Sequence, residues 1–169
     1  GGEVEYATAS FGQGIALTPI NVTRALAALA NGGYLIKPHV VKKIDYQDQP
    51  AVVVVTEKQR SVLQESTTKQ ITEMLIKVVD TTLANGHAKL TNYSIAAKTG
   101  TAQIVRPEGG YYSDRFLHSF FGYFPAYNPK FIIFLYTKHP KGAKYASETL
   151  THPFIDITSF LINYYEIPP

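Results

Sequence analysis

The segment of this chain whose residue types and spacing could do chemistry is Ala96-Ala97-Lys98-Thr99-Gly100-Thr101-Ala102-Gln103. On a β-strand, alternation aims Lys98 and Thr99 at opposite faces, and Gly100 permits a twist or a close backbone approach. A cation, two hydroxyls and free backbone N–H groups along an accessible strand edge suit an extended peptide that ends in a carboxylate. Lys-Thr-Gly also recurs by chance, and an ordinary strand with a surface lysine accounts for the tripeptide equally well. Other candidates are weaker. Gly12-Gln13-Gly14 lacks the third glycine and the preceding strand of a dinucleotide loop, so it reads as a tight connection. His39, His87, His118, His139 and His152 show no metal-ligand spacing, and no carboxylate triad accompanies them, so no metal is expected. The chain has no cysteine, which excludes thiol nucleophiles, disulfides and Cys-based zinc sites together.

The elements that must position these residues belong to one domain or part of one, since the chain has 169 residues. At 45% hydrophobic with 12 Tyr and 9 Phe it can bury a core, which excludes wholesale disorder. The net charge of +3 is carried by scattered Lys and Arg, with only Lys42-Lys43 adjacent, so no nucleic-acid partner is expected. The longest apolar runs, Ala51–Val55 and Phe131–Tyr136, fall far short of the ~20 residues that span a bilayer. Any membrane anchor is expected outside this chain.

Thr18 is a natural N-cap, Pro19 suits the first helical position, and Val22, Ala25, Leu26 and Leu29 follow helical spacing up to Asn31-Gly32. This reads as a small-faced, buried helix. Tyr34–Tyr46 and Ala51–Val55 read as β segments around an Asp48-Gln49-Pro50 turn. A second helix begins between Gln64 and Ser66, carries Ile71, Leu75, Val78, Val79 and Leu83 on one stripe, and ends at Asn85-Gly86. Strands are predicted at Ser94–Ile104, Leu117–Phe124 and Phe131–Lys138, the last two joined through Tyr127-Asn128-Pro129-Lys130. Phe120, Phe121, Phe124, Phe131, Phe134 and Tyr136 read as core. Thr151 is expected to cap a final helix with Pro153 in its first turn and Pro168-Pro169 stopping it. Helices interspersed with antiparallel strands make an α+β fold.

Several segments together resemble class B penicillin-binding proteins. They are Ser10-Phe11-Gly12-Gln13-Gly14, Leu17-Thr18-Pro19, Ala30-Asn31-Gly32-Gly33, Ala97 to Gln103, His118-Ser119-Phe120-Phe121-Gly122-Tyr123-Phe124-Pro125-Ala126, and the ending Ile167-Pro168-Pro169. The resemblance covers essentially the whole chain in order. It implies the fold shared by penicillin-binding transpeptidases and serine β-lactamases, an antiparallel sheet flanked by helices. It also implies peptidoglycan D,D-transpeptidation by acyl transfer through a serine ester, with no cofactor. Three motifs are then needed: Ser-x-x-Lys as nucleophile and base, Ser-x-Asn as proton relay, and Lys-Thr-Gly on the strand walling the cleft. By resemblance, Lys98 supplies positive potential near the relay and the substrate carboxylate, and Thr99 and Thr101 offer hydroxyls to that carboxylate. Gly100 leaves room for the substrate backbone, and the Thr101 N–H is the second oxyanion-hole donor. Ala97 departs from the family's frequent glycine at that position.

No serine in the chain has Asn two residues on, so the Ser-x-Asn motif is absent. Residues 1–169 therefore read as the C-terminal part of a transpeptidase domain whose nucleophile lies upstream. Ser66-Thr67-Thr68-Lys69 matches Ser-x-x-Lys literally, but its neighbours are polar, as at a solvated helix entrance, and helix capping is the better reading. The Arg106–Arg115 loop, with Gly109, Gly110, Tyr111 and Tyr112, could overhang the cleft and contact peptide, or be a mobile solvent loop. His118 is weighed as a substrate contact against a satisfied strand histidine. The resemblance implies a parent enzyme in the bacterial inner membrane facing outside the cytoplasm. That enzyme would cross-link stem peptides in division or elongation and be acylated by β-lactams through a serine outside this chain. Rivals are a D,D-carboxypeptidase or β-lactamase, against which the Gly-Gln-Gly segment and the Ile-Pro-Pro ending argue, and a non-catalytic fragment that binds wall peptide or a protein partner. The absent nucleophile helix is expected to leave apolar surface for a companion segment or a second copy.

Overall fold

The computed structural model describes residues 2–86 and 88–169, and His87 lies outside the described residues. The chain opens with α1 (Glu3–Ala9), which no sequence signal announced, and α2 (Pro19–Ala30). Thr18 caps α2 as expected, its Oγ1 accepting from the Asn21 N–H at 3.4 Å, and Pro19 takes the first turn. At the other end the Gly33 N–H donates to Ala28 O at 2.8 Å, and Gly32 at φ +81° supplies the left-handed turn. That six-to-one bond defines a Schellman stop. Only Ala27 and Ala28 of α2 are buried, and Ala25 is exposed, which corrects the expectation of a buried helix. The face carrying Val22 and Leu26 looks instead onto an open cleft.

The predicted β segments over 34–55 break into short pieces: β1 (Tyr34–Ile36), β2 (Lys43–Ile44) and β3 (Val52–Val53), followed by the unpredicted β4 (Lys58–Ser61). β1 pairs antiparallel with β4, and β2 with β3. Pro38, which has no N–H to donate, follows β1 closely and limits its ladder. β4 is polar and wholly exposed, so no hydrophobic alternation marks it. Arg24 ties this region to α2 by donating from Nε to Ile36 O at 2.8 Å and from its guanidinium to Gln59.

α3 (Glu65–Thr81) starts within the predicted window and gives way to a 3-10 turn at Leu83–Gly86. Its stripe is as the periodicity required, with Leu75, Val79 and Leu83 buried and the buried face extended by Thr68 and Thr72. The main sheet follows: β5 (Ala96–Val105), β6 (Tyr111–Phe124) and β7 (Phe131–Lys138), antiparallel in that spatial order. α4 (Ala146–Tyr164) closes the chain.

Two boundaries differ from expectation. β6 begins at Tyr111 rather than Leu117, because Arg106 N–H to Gly110 O (3.0 Å) closes a tight hairpin and Val105 pairs with Tyr111. Half of the anticipated Arg106–Arg115 loop, residues 111–115, is therefore strand. α4 begins at Ala146, which places Thr151 and Pro153 inside the helix. The N-terminal signal is Glu148, whose Oε2 accepts from the N–H groups of Tyr145 (2.7 Å) and Lys144 (3.1 Å). Thr151 is buried rather than capping, and its hydroxyl has no hydrogen-bond partner among the described residues.

Pairing across β5 and β6 sorts the side chains by face, since directly opposite residues share one. Ala97, Thr99 and Thr101 lie opposite Gly122, Phe120 and His118, on the face covered by α4. There Phe120 and Phe154 stack with centroids 4.4 Å apart, both essentially inaccessible to solvent. Gly122 makes that approach possible: a Cβ on it would come within 2.8 Å of Ala97 Cβ and overlap the Phe154 ring. On the opposite face Ala96, Tyr123, Ala126 and Leu75 form a second cluster. Inside it the Tyr123 hydroxyl meets Thr72 Oγ1 at 2.7 Å. Burial pushes the Tyr123 phenol pKa up, and the Thr72 bond partly opposes that shift.

Candidate active site

β5 is an edge strand: among the described residues it pairs only with β6. Alternate N–H and C=O groups along its outer side are therefore open to an extended ligand. Lys98, Thr99 and Gly100 line a cleft of about 520 Å³ between the sheet and the segment from Gly12 to Leu26. Its walls are apolar, contributed by Ile15, Leu17, Val22 and Leu26 on one side and Phe121 and Phe134 on the other. Lys98 is exposed, and its Nζ donates to Thr99 O at 2.7 Å. In a largely apolar cleft that ammonium is a concentrated positive charge.

Gly100 lies against Ser119. A Cβ there would fall 2.6 Å from Ser119 Oγ, so on the Lys98 face of the sheet the space beside this glycine is taken up by the Ser119 hydroxyl. Thr99 and Thr101 point the other way, toward α4. Thr101 Oγ1 accepts from the Ala146 N–H at 3.0 Å, which links the strand edge to the first turn of the helix. A hydroxyl that accepts there still has its proton to donate.

The remaining predicted residues take different places. His118 is fully buried, with one ring nitrogen 3.0 Å from Lys144 O and the other 2.9 Å from Thr149 Oγ1, so it reaches no ligand surface. This corrects its weighing as a substrate contact in favour of a satisfied strand histidine. Tyr111 is half-buried, its hydroxyl 3.4 Å from where a Cβ on Gly14 would stand, which puts the Gly-Gln-Gly segment against the β5–β6 hairpin. The Tyr112 ring is covered by the Arg115 guanidinium at 4.0 Å. Neither tyrosine lines the Lys98 cleft.

Ser66 sits exposed in the first turn of α3, where Gln64 holds the capping position, so Ser66 does not cap the helix. Lys69 pairs with Glu65 at 2.7 Å, and this neighbour holds the Glu65 carboxyl below its ordinary pKa. Both residues line a separate cavity of about 580 Å³ that shares no residue with the Lys98 cleft. Ser66 and Lys98 therefore do not form one site.

Sequence reasoning missed Ser119 as the neighbour of Gly100, and Tyr145 and Glu148 as the turn beside Thr101. The Glu148 cap was visible in principle, three residues after Tyr145, but the Thr-x-Pro pattern at 151–153 drew the helix start too late.

The penicillin binding protein transpeptidase domain family matches residues 2–157. Stage V sporulation protein D of Bacillus subtilis is 36% identical over 163 residues, covering 91% of this chain and 24% of that protein. A peptidoglycan D,D-transpeptidase FtsI homolog of Mesostigma viride is 30% identical over 179 residues, covering 98% of this chain and 30% of that protein. Among solved structures, penicillin binding protein 3 of Mycobacterium tuberculosis superposes with a TM-score of 0.83 at 26% identity, covering 96% of this chain and 39% of that one. The same protein has been solved in complex with ampicillin and with aztreonam. This chain thus spans less than a third of the length of these two relatives. With its helices, its antiparallel sheet and its match over nearly all residues, the chain belongs to the penicillin-binding protein transpeptidase domain family.

Proposed function

We propose that residues 1–169 are the C-terminal part of a peptidoglycan D,D-transpeptidase domain and supply the Lys-Thr-Gly wall of its active site. The observation that carries this reading is the edge strand β5, whose Lys98, Thr99 and Gly100 border an apolar cleft, with Lys98 turned toward it, that no other described element fills. A helix bearing Ser-x-x-Lys, seated in that cleft, would bring its serine beside Lys98. A stem peptide laid along β5 would pair its backbone with the open edge and set its carboxylate near Lys98, Thr99 and Thr101. The serine attacks the peptide carbonyl, and the developing oxyanion is held by two N–H groups, one from Thr101 and one from the serine itself. β-Lactams are acylating ligands of the same site, a reading supported by the ampicillin and aztreonam complexes of the similar structure.

The partners of the chain are then stem peptide and the nucleophile-bearing segment that completes the domain. The working place is the extracytoplasmic face of the bacterial inner membrane, supported by the similarity to named cell-wall enzymes. No helix among the described residues is long and apolar enough to cross a membrane. In the assembled domain, meaning this chain joined to its nucleophile-bearing segment, Lys98→Ala should slow penicillin acylation at least about 100-fold, on the scale of losing one transition-state donor. An unchanged rate would remove β5 from the site.

A further inference from the structure

His118 is a fully buried polar side chain on the α4 face of the sheet, and it lies in register opposite Thr101. Lys144 O can only accept, so the Nε2 facing it at 3.0 Å carries hydrogen, while Nδ1 meets Thr149 Oγ1 at 2.9 Å, a hydroxyl that also lies 3.4 Å from Ala146 O. These two bonds straddle residues 144–149, the turn by which the chain enters α4. Glu148 Oε2 ties the same turn from within by accepting the N–H groups of Lys144 and Tyr145. The turn so held presents the Ala146 N–H, which donates to Thr101 Oγ1 at 3.0 Å. That N–H is one of the orphan donors at the positive end of a helix of 19 residues. It occupies a lone pair of the Thr101 hydroxyl, polarises it, and leaves its single proton to point away from α4. Thr101 itself is exposed at the strand edge.

We propose that His118 is a positioning residue for anion recognition on β5. By clamping the 144–149 turn it holds the Ala146 N–H on Thr101 Oγ1 and so aims a polarised Thr101 hydroxyl at the carboxylate of a peptide lying along the strand. The inference rests on the reading of β5 as a peptide-binding wall. His118 touches no substrate and acts only through Lys144, Thr149 and Ala146.

The test compares a penicillin with its methyl ester, which masks the carboxylate, as acylating agents of the assembled domain. His118→Ala should weaken the free acid about 10-fold, the scale of one hydrogen bond to a charged group. That loss should fall on the half-saturating concentration rather than on the limiting rate, and the ester should change less than about 2-fold. Thr101→Val should give the same pattern, and the double variant should lose little more than either alone, because both interrupt one relay. His118→Gln, which keeps a donor for Lys144 O, should recover much of the loss. Amide exchange supplies the second measurement: the Ala146 N–H should be protected in the parent and lose protection in His118→Ala. Equal losses for acid and ester, or fully additive losses in the double variant, would overturn the proposal. If the parent domain shows Ala146 protected yet takes up no penicillin, the peptide-wall reading fails, and the anion-aiming role of His118 fails with it.

Discussion

Gly122→Ala tests how closely α4 must sit on the sheet for the site to exist. The new Cβ would lie 2.8 Å from Ala97 Cβ and 2.9 Å from Phe154 Cε2, with Phe154 Cζ closer still. Ordinary carbon contacts need about 3.5–4.0 Å, so the ring must retreat by roughly 1 Å. It has little freedom to swing, being fully buried and stacked on Phe120. Ala97, on a strand, has none, so the strain falls on the separation of α4 from β5 and β6. Overpacking of this kind costs ~1–3 kcal/mol, and two overlaps against rigid neighbours argue for the upper half of that range. At ~2 °C per kcal/mol or somewhat less for an assembled domain about twice this chain's length, the melting temperature should fall by roughly 3–6 °C. The assay is thermal unfolding of the assembled domain by far-UV circular dichroism, with Phe154→Leu as the partner variant. Leucine lacks the ring tip that meets the new methyl group, so the double variant should lose clearly less than the sum of the singles. Acylation should slow as well, since a 1 Å withdrawal of α4 breaks the 3.0 Å bond from Ala146 to Thr101. A melting temperature within about 1 °C of the parent, or strict additivity with Phe154→Leu, would refute the reasoning.

Tyr123→Phe should cost about 1 kcal/mol in urea unfolding at neutral pH through loss of the buried bond to Thr72. The raised phenol pKa gives that prediction a pH dependence. Below its ordinary value near 10 the contribution is fully present, and it is lost as pH rises through the higher folded value, so the parent should lose more stability than the variant between pH 9 and 11. A constant difference between the two across that range would contradict it. Thr158→Val should stabilise the fold by roughly 1 kcal/mol, because the Thr158 hydroxyl is buried without a partner among the described residues and valine matches its shape; chemical denaturation shows the sign. Ser66→Ala should leave penicillin acylation of the assembled domain unchanged, since Ser66 lies outside the Lys98 cleft.

Features that local chemistry or periodicity controls were legible in the chain itself. Thr18-Pro19 and Asn31-Gly32 set the ends of α2, the 3.6-residue stripe set the buried face of α3, and the turn at Tyr127–Lys130 set the start of β7. The opposite aim of Lys98 and Thr99 follows from strand alternation, and the pairing bears it out. What stayed illegible depended on tertiary partners. β4 is polar and exposed and forms because β1 is beside it. Thr151 and Pro153 resemble a helix start, yet Glu148 begins the helix a turn and a half earlier. The His118–Lys144 and Thr101–Ala146 contacts join residues 26 and 45 positions apart, and no local pattern encodes them.

Intact-mass spectrometry after incubation with a reactive penicillin tests the central claim most directly. The chain alone should gain no acyl group, and the assembled domain should gain one, mapping outside residues 1–169. A stoichiometric adduct on any serine of this chain, Ser66 above all, would contradict the account and would mean that the 169 residues carry a nucleophile of their own.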